Sequence, residues 1–116
     1  MKKDIKIFLE HILESINLIE EYVKDKNKND FVKSIQLQDS VIRRIEIIGE
    51  AIKNVPSVFK EKYPQIPWKQ ITGMRDILIH QYFGVDLNLT WEVIIKELPK
   101  LKKEIININK KNYNDL

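Results

Sequence analysis

The amino-acid sequence predicts an all-α fold, an antiparallel bundle of about five helices, and three observations point to it. Apolar residues return every three or four positions through most of the 116-residue chain. No segment shows the strict apolar and polar alternation of a half-buried strand. Pro56, Pro64 and Pro67 gather in one stretch between the periodic runs, where they act as breaks. The length suits one compact domain, taken as residues 1–110, with a polar C-terminal tail at 111–116.

The first helix is carried by Ile5, Phe8, Ile12, Ile16, Ile19 and Val23, a stripe that must pack on a core. Residues 24–30 contain no apolar side chain, and Asn29 or Asp30 suits the N-cap of a second helix. That helix carries Phe31, Ile35, Val41, Ile42, Ile45, Ile48 and Ile52, and Pro56 ends it by disfavouring helical geometry at Val55. Gly49 inside it costs about 1 kcal/mol relative to alanine, which a close helix crossing would offset; a tolerated accident is the other reading.

Val58, Phe59 and Tyr63 suggest one short helix between the proline breaks. Pro67 fits the first turn of a fourth helix, where no amide proton is needed, and that helix is expected to run from Trp68 towards Tyr82. Gly84 can take the left-handed conformation that ends a helix, and Asp86 or Asn88 can cap the fifth. Trp91, Ile94, Ile95, Leu98, Leu101, Ile105 and Ile108 form the stripe of that last helix, which Pro99 should kink.

Composition narrows the chemistry. The chain has no cysteine, which excludes disulfides, zinc-thiolate sites, iron–sulfur clusters and thiol nucleophiles. Two histidines, His11 and His80, argue against a histidine-rich metal site; carboxylates alone could still hold magnesium, but metal-free chemistry is the simpler expectation, with no cofactor. The net charge of +3 permits contact with a polyanion without indicating one. Six lysines stand against two glutamates between Lys96 and Lys111, and a solvated helix end is the first reading of them. No apolar run reaches membrane-spanning length, and with no leader segment read at the N-terminus the expected location is cytoplasmic.

The informative stretch is 73–84, Gly-Met-Arg-Asp-Ile-Leu-Ile-His-Gln-Tyr-Phe-Gly. Arg75, four residues, His80, one residue and Tyr82 reproduce the spacing of the arginine, histidine and tyrosine in the HepT-like branch of the HEPN ribonuclease superfamily. Residues 41–51, 66–68 and 82–87 also resemble blocks of that branch, so the likeness spans nearly the whole chain.

The resemblance implies a HEPN-like bundle that dimerises around the motif helix, and a metal-independent endoribonuclease in which the RNA's own 2′-hydroxyl attacks the adjacent phosphate. It further implies the toxin of a type VII-like toxin–antitoxin pair, whose antitoxin is a minimal nucleotidyltransferase encoded nearby. Tyr82 matches the tyrosine that such an antitoxin silences by adenylylation.

The residue chemistry fits these expectations. An unperturbed imidazole titrates near pH 6.5, which suits His80 to proton transfer. The planar, permanently charged guanidinium of Arg75 suits phosphate recognition and charge stabilisation. On an ideal helix two positions five apart diverge by about 140°, so Arg75 and His80 need helix distortion or a second subunit to converge.

Asp76, four residues before His80, either orients the imidazole or holds Arg75; a plain surface ion pair is the other reading. Tyr82 could equally pack its ring on the bundle. His11 reads as a surface or boundary residue, and Arg43, Arg44, Glu46 and Glu50 either line the cleft or form a solvated face. The alternative function is a noncatalytic helical partner, or substrate-binding module, of a nucleotidyltransferase; a plain structural bundle ranks last.

Overall fold

A computed structural model describes the backbone of residues 3–80 and 84–114, with side chains described over 4–78 and 84–111. The all-α class holds. Helix α1 (Lys3–Val23) buries Ile5, Leu9, Ile12, Ile16 and Ile19. It packs most extensively on α3 (Ile35–Asn54), which buries Leu37, Val41, Ile42, Ile45, Ile48, Ala51 and Ile52 on its matching stripe. These two long helices are the frame on which the rest is mounted.

The expected second helix arrives in two pieces, α2 (Lys28–Lys33) and α3, separated by Ser34. The cap of α2 is Asn27 rather than Asn29 or Asp30. Its Oδ1 accepts from the Asp30 amide at 2.9 Å, while its own amide donates to Asp30 Oδ2 at 3.0 Å, a reciprocal capping box. Ser34 then sits in extended geometry and its Oγ accepts from the Leu37 amide at 3.1 Å. Gln38 donates to the carbonyls of Phe31 and Val32, each at 3.0 Å, so side chains replace the helical bonds lost at the break. The break also turns Phe31 fully inward against Trp91, with ring centroids 5.6 Å apart.

Val55 ends α3 in extended geometry, as Pro56 requires. The short helix α4 (Ser57–Glu61) follows, with Phe59 buried. Trp68 then anchors the chain, its Nε1 donating to the carbonyls of Lys60 and Tyr63 at 3.2 and 3.1 Å.

The helix expected from Trp68 towards Tyr82 is shorter and broken. It consists of α5 (Trp68–Thr72), a turn at Gly73, and α6 (Met74–Leu78). Beyond Leu78 the chain is extended: β1 (Ile79–His80) pairs antiparallel with β2 (Gly84–Val85), in the register Ile79 with Val85 and His80 with Gly84. The Asp86 amide donates to the Leu78 carbonyl, so tertiary pairing takes up the helix end. Gly84 does adopt a positive φ of 84°, but within this pairing rather than as a helix cap.

Asp86 caps α7 (Leu87–Glu92) through its Oδ1, which accepts from the Leu89 amide at 3.0 Å. The chain continues through a π-helical turn at Val93–Glu97 into α8 (Leu98–Asn114). The Leu98 amide reaches back to the Val93 carbonyl, a five-residue step that widens the helix just before Pro99. The disturbance expected from Pro99 therefore takes the form of a π turn. No helix among the described residues is long and apolar enough to cross a membrane.

Candidate functional site

Arg75 lies on α6, and the partner it finds comes from α3. Its Nε is 3.0 Å from Glu46 Oε1, while its Nη1 is 3.7 Å from Oδ1 of neighbouring Asp76. The first distance is a charge-assisted hydrogen bond; the second is a looser ion pair on a carboxylate that is 85% exposed. Hydrogen bonding and charge from Glu46, in that order, raise the Arg75 pKa above its ordinary value.

Close helix approach makes the contact possible. Gly49, one turn along α3 from Glu46, is buried where an added Cβ would lie 3.4 Å from the Thr72 carbonyl oxygen at the end of α5. Of the two readings of Gly49, the close crossing is the one observed. Around this crossing a polar cavity of about 240 Å³ is bounded by Glu46, Glu50, Lys53, Thr72, Arg75 and Asp76. Of the two readings of Glu46 and Glu50, cleft lining is the one observed; what the sequence does not give is the partner of Glu46. Its pairing spans two helices, and no local spacing signals it.

His80 falls on β1, so its backbone is fixed by pairing with Gly84 rather than by a helix turn. The angular argument from an unbroken helix therefore does not apply to Arg75 and His80: one is helical and the other extended. The His80 side chain and all of Tyr82 lie outside the described residues. His11 is exposed on α1.

The opposite side of α6 is apolar. A second cavity, of about 460 Å³, is lined by residues that include Ile66, Ile71, Met74, Ile77, Leu89 and Val93. Ile77 is 57% exposed although it lies two residues from Arg75. Helix α6 thus separates a charged cleft from an open apolar groove. The basic stretch from Lys96 to Lys111, which runs from the π turn into α8, is partly neutralised: Lys102 reaches Glu20 of α1 at 2.9 Å, Lys96 reaches Glu92 at 2.8 Å, and Lys100 lies 4.0 Å from Glu97. This pairing supports the solvated-helix reading of those lysines.

Comparison with known proteins supplies the family. A protein of Methanocaldococcus jannaschii named "Gamma-glutamylcyclotransferase and putative RNase" is 68% identical over 108 residues, covering 93% of this chain and 49% of its own length. The chain therefore spans about half of that relative. The "Probable ribonuclease HepT" of Thermococcus cleftensis is 44% identical over 110 residues, 95% of this chain and 100% of its own. No solved structure matches the chain. The family described as ribonuclease HepT-like matches residues 12–108, which take in α3, Arg75 and His80, and the chain belongs to the HepT-like ribonuclease family.

Proposed function

We propose that the protein is a metal-independent endoribonuclease, the toxin of a type VII-like toxin–antitoxin pair, with Arg75 and His80 as its catalytic residues. The observation that carries this reading is the family match across both residues, together with a half-exposed Arg75 held at the mouth of a polar cleft. In the reaction, the RNA 2′-oxygen bonds to phosphorus and the bond to the 5′-oxygen breaks, leaving a cyclic phosphate. One proton leaves the 2′-hydroxyl and another joins the departing oxygen. A neutral imidazole takes the first and an imidazolium gives the second. Arg75 offsets the negative charge that grows on the phosphoryl oxygens.

The need for both imidazole forms at one phosphate favours two copies of His80 in one cleft, hence a homodimer. The groove beside Ile77 supports this, because an apolar surface next to the motif is suited to burial against a second copy. Asp76, beside Arg75, is assigned a supporting role in holding it. Tyr82 is assigned as the acceptor of AMP from a nucleotidyltransferase antitoxin encoded nearby, a modification that places a bulky anion two residues beyond His80 in the chain.

The test is cleavage of bulk cellular RNA by the purified protein in excess chelator, with the product ends identified chemically. Cyclic phosphate ends support the mechanism. Cleavage only with added metal overturns the metal-independent mechanism, and no cleavage by a folded dimer favours the noncatalytic partner of a nucleotidyltransferase.

A further inference from the structure

We infer that Glu46 is a positioning residue for Arg75: its carboxylate accepts the Nε hydrogen bond at 3.0 Å and aims the remaining guanidinium donors at an RNA phosphate. The inference rests on the reading of Arg75 as the phosphate clamp.

Arg75 projects from α6, a helix of only 5 residues, and its side chain is 49% exposed. Unsupported, so long a side chain would sample many rotamers and lose that freedom on meeting RNA. Glu46 stands on α3, a helix of 20 residues packed along α1 and drawn close to α5 at Gly49. Its backbone is therefore a fixed post. Contact with the post orders Arg75 before substrate arrives, which is how a supporting residue sharpens a phosphate site.

Glu46 could instead act as a competitor that repels the phosphate, and the geometry separates the two roles. The contact engages Nε, one of five N–H donors, and leaves the Nη edge available. The Glu46 side chain is 33% exposed against 49% for Arg75, so the guanidinium is the more accessible of the pair. Asp76 meets that edge only through a loose ion pair, its Oδ1 3.7 Å from Nη1 and beyond hydrogen-bond reach, so the Nη N–H groups can turn to a phosphate. Positioning predicts that removal of Glu46 slows cleavage, whereas competition predicts that removal speeds it.

The experiment uses the full chain and the variants Glu46→Ala, Glu46→Gln and Arg75→Ala, with the Glu46→Ala, Arg75→Ala double variant. Cleavage of a mixed-sequence RNA is followed in chelator. Affinity is measured with a 2′-O-methyl oligonucleotide of the same sequence, which has no attacking hydroxyl. Glu46→Ala should lower kcat/KM by about tenfold, and Glu46→Gln, which keeps a neutral acceptor, by less. Both should melt within a few degrees of the parent, since the contact is partly exposed.

The decisive readout is coupling. Glu46→Ala should weaken oligonucleotide binding several-fold when Arg75 is present and not at all when it is absent. An unchanged or faster rate for Glu46→Ala, or equal weakening in both backgrounds, overturns the positioning role while an inactive Arg75→Ala leaves the clamp reading standing. Arg75→Ala cutting at the parental rate overturns the clamp reading itself.

Discussion

Ser34 ends one helix and begins the next: its amide donates to the Phe31 carbonyl at 3.3 Å, while its Oγ accepts from Leu37 at 3.1 Å. Ser34→Ala removes the side-chain acceptor and leaves the Leu37 amide without it. The expected cost is about 1 kcal/mol, read as a lower melting temperature with unchanged helix content. A variant as stable as the parent would mean that water replaces the cap without loss.

The Glu92 and Lys96 pair predicts a pH-dependent effect. Hydrogen bonding to Lys96, then its charge, hold the Glu92 carboxyl below the ordinary carboxylate range. A group whose folded pKa is depressed contributes stability above its unfolded pKa and loses it as pH falls through the folded one. Glu92→Gln should therefore melt slightly below the parent at neutral pH and low salt, and the difference should vanish under acid. Both side chains are exposed, so added salt should also reduce it. Melting curves at several pH values, with and without salt, give the answer; a difference that persists in acid would assign the effect to something other than the charge.

Local chemistry was legible in the sequence, whereas tertiary arrangement was not. Pro56 forces the end of α3 at Val55 and Asp86 caps α7, because each acts on backbone within a few residues. The break at Ser34 escaped because the apolar stripe runs on both sides of it, and the carbonyls freed there find Gln38 only once the chain bends. The helix end at Leu78 depends on pairing with residues 84–86, which no helical periodicity encodes. Arg75, His80 and Tyr82 are proposed from the family spacing that they match. Glu46 needed the structure, since its contact with Arg75 depends on α3 passing close to α5.

Ile77 offers a test of the proposed dimer. Its side chain is 57% exposed beside the apolar groove, so Ile77→Lys should leave the monomer folded while placing a charge in the contact. Light scattering should then show a monomer, and RNA cleavage should fall with it. Ile35→Lys serves as control, because Ile35 is 73% exposed and lies on α3 rather than on the motif helix. A dimer unaffected by Ile77→Lys would locate the contact on another face.

Tyr82 tests the proposed control. Coexpression with the neighbouring nucleotidyltransferase should add the mass of AMP, and peptide mapping should place it on Tyr82. Tyr82→Phe keeps the ring and removes the acceptor hydroxyl, so it should retain cleavage and escape silencing. AMP found only elsewhere, or full activity after complete modification, would rule out this control.

The central claim is that Arg75 and His80 together cut RNA without metal, and it is tested most directly by RNA cleavage in excess chelator. The parent, Arg75→Ala and His80→Ala are compared at equal concentration, with circular dichroism on each sample. The account predicts cyclic phosphate products from the parent and a loss of at least about a hundredfold in either variant, at unchanged helix content. Cleavage by a folded variant at the parental rate would contradict it.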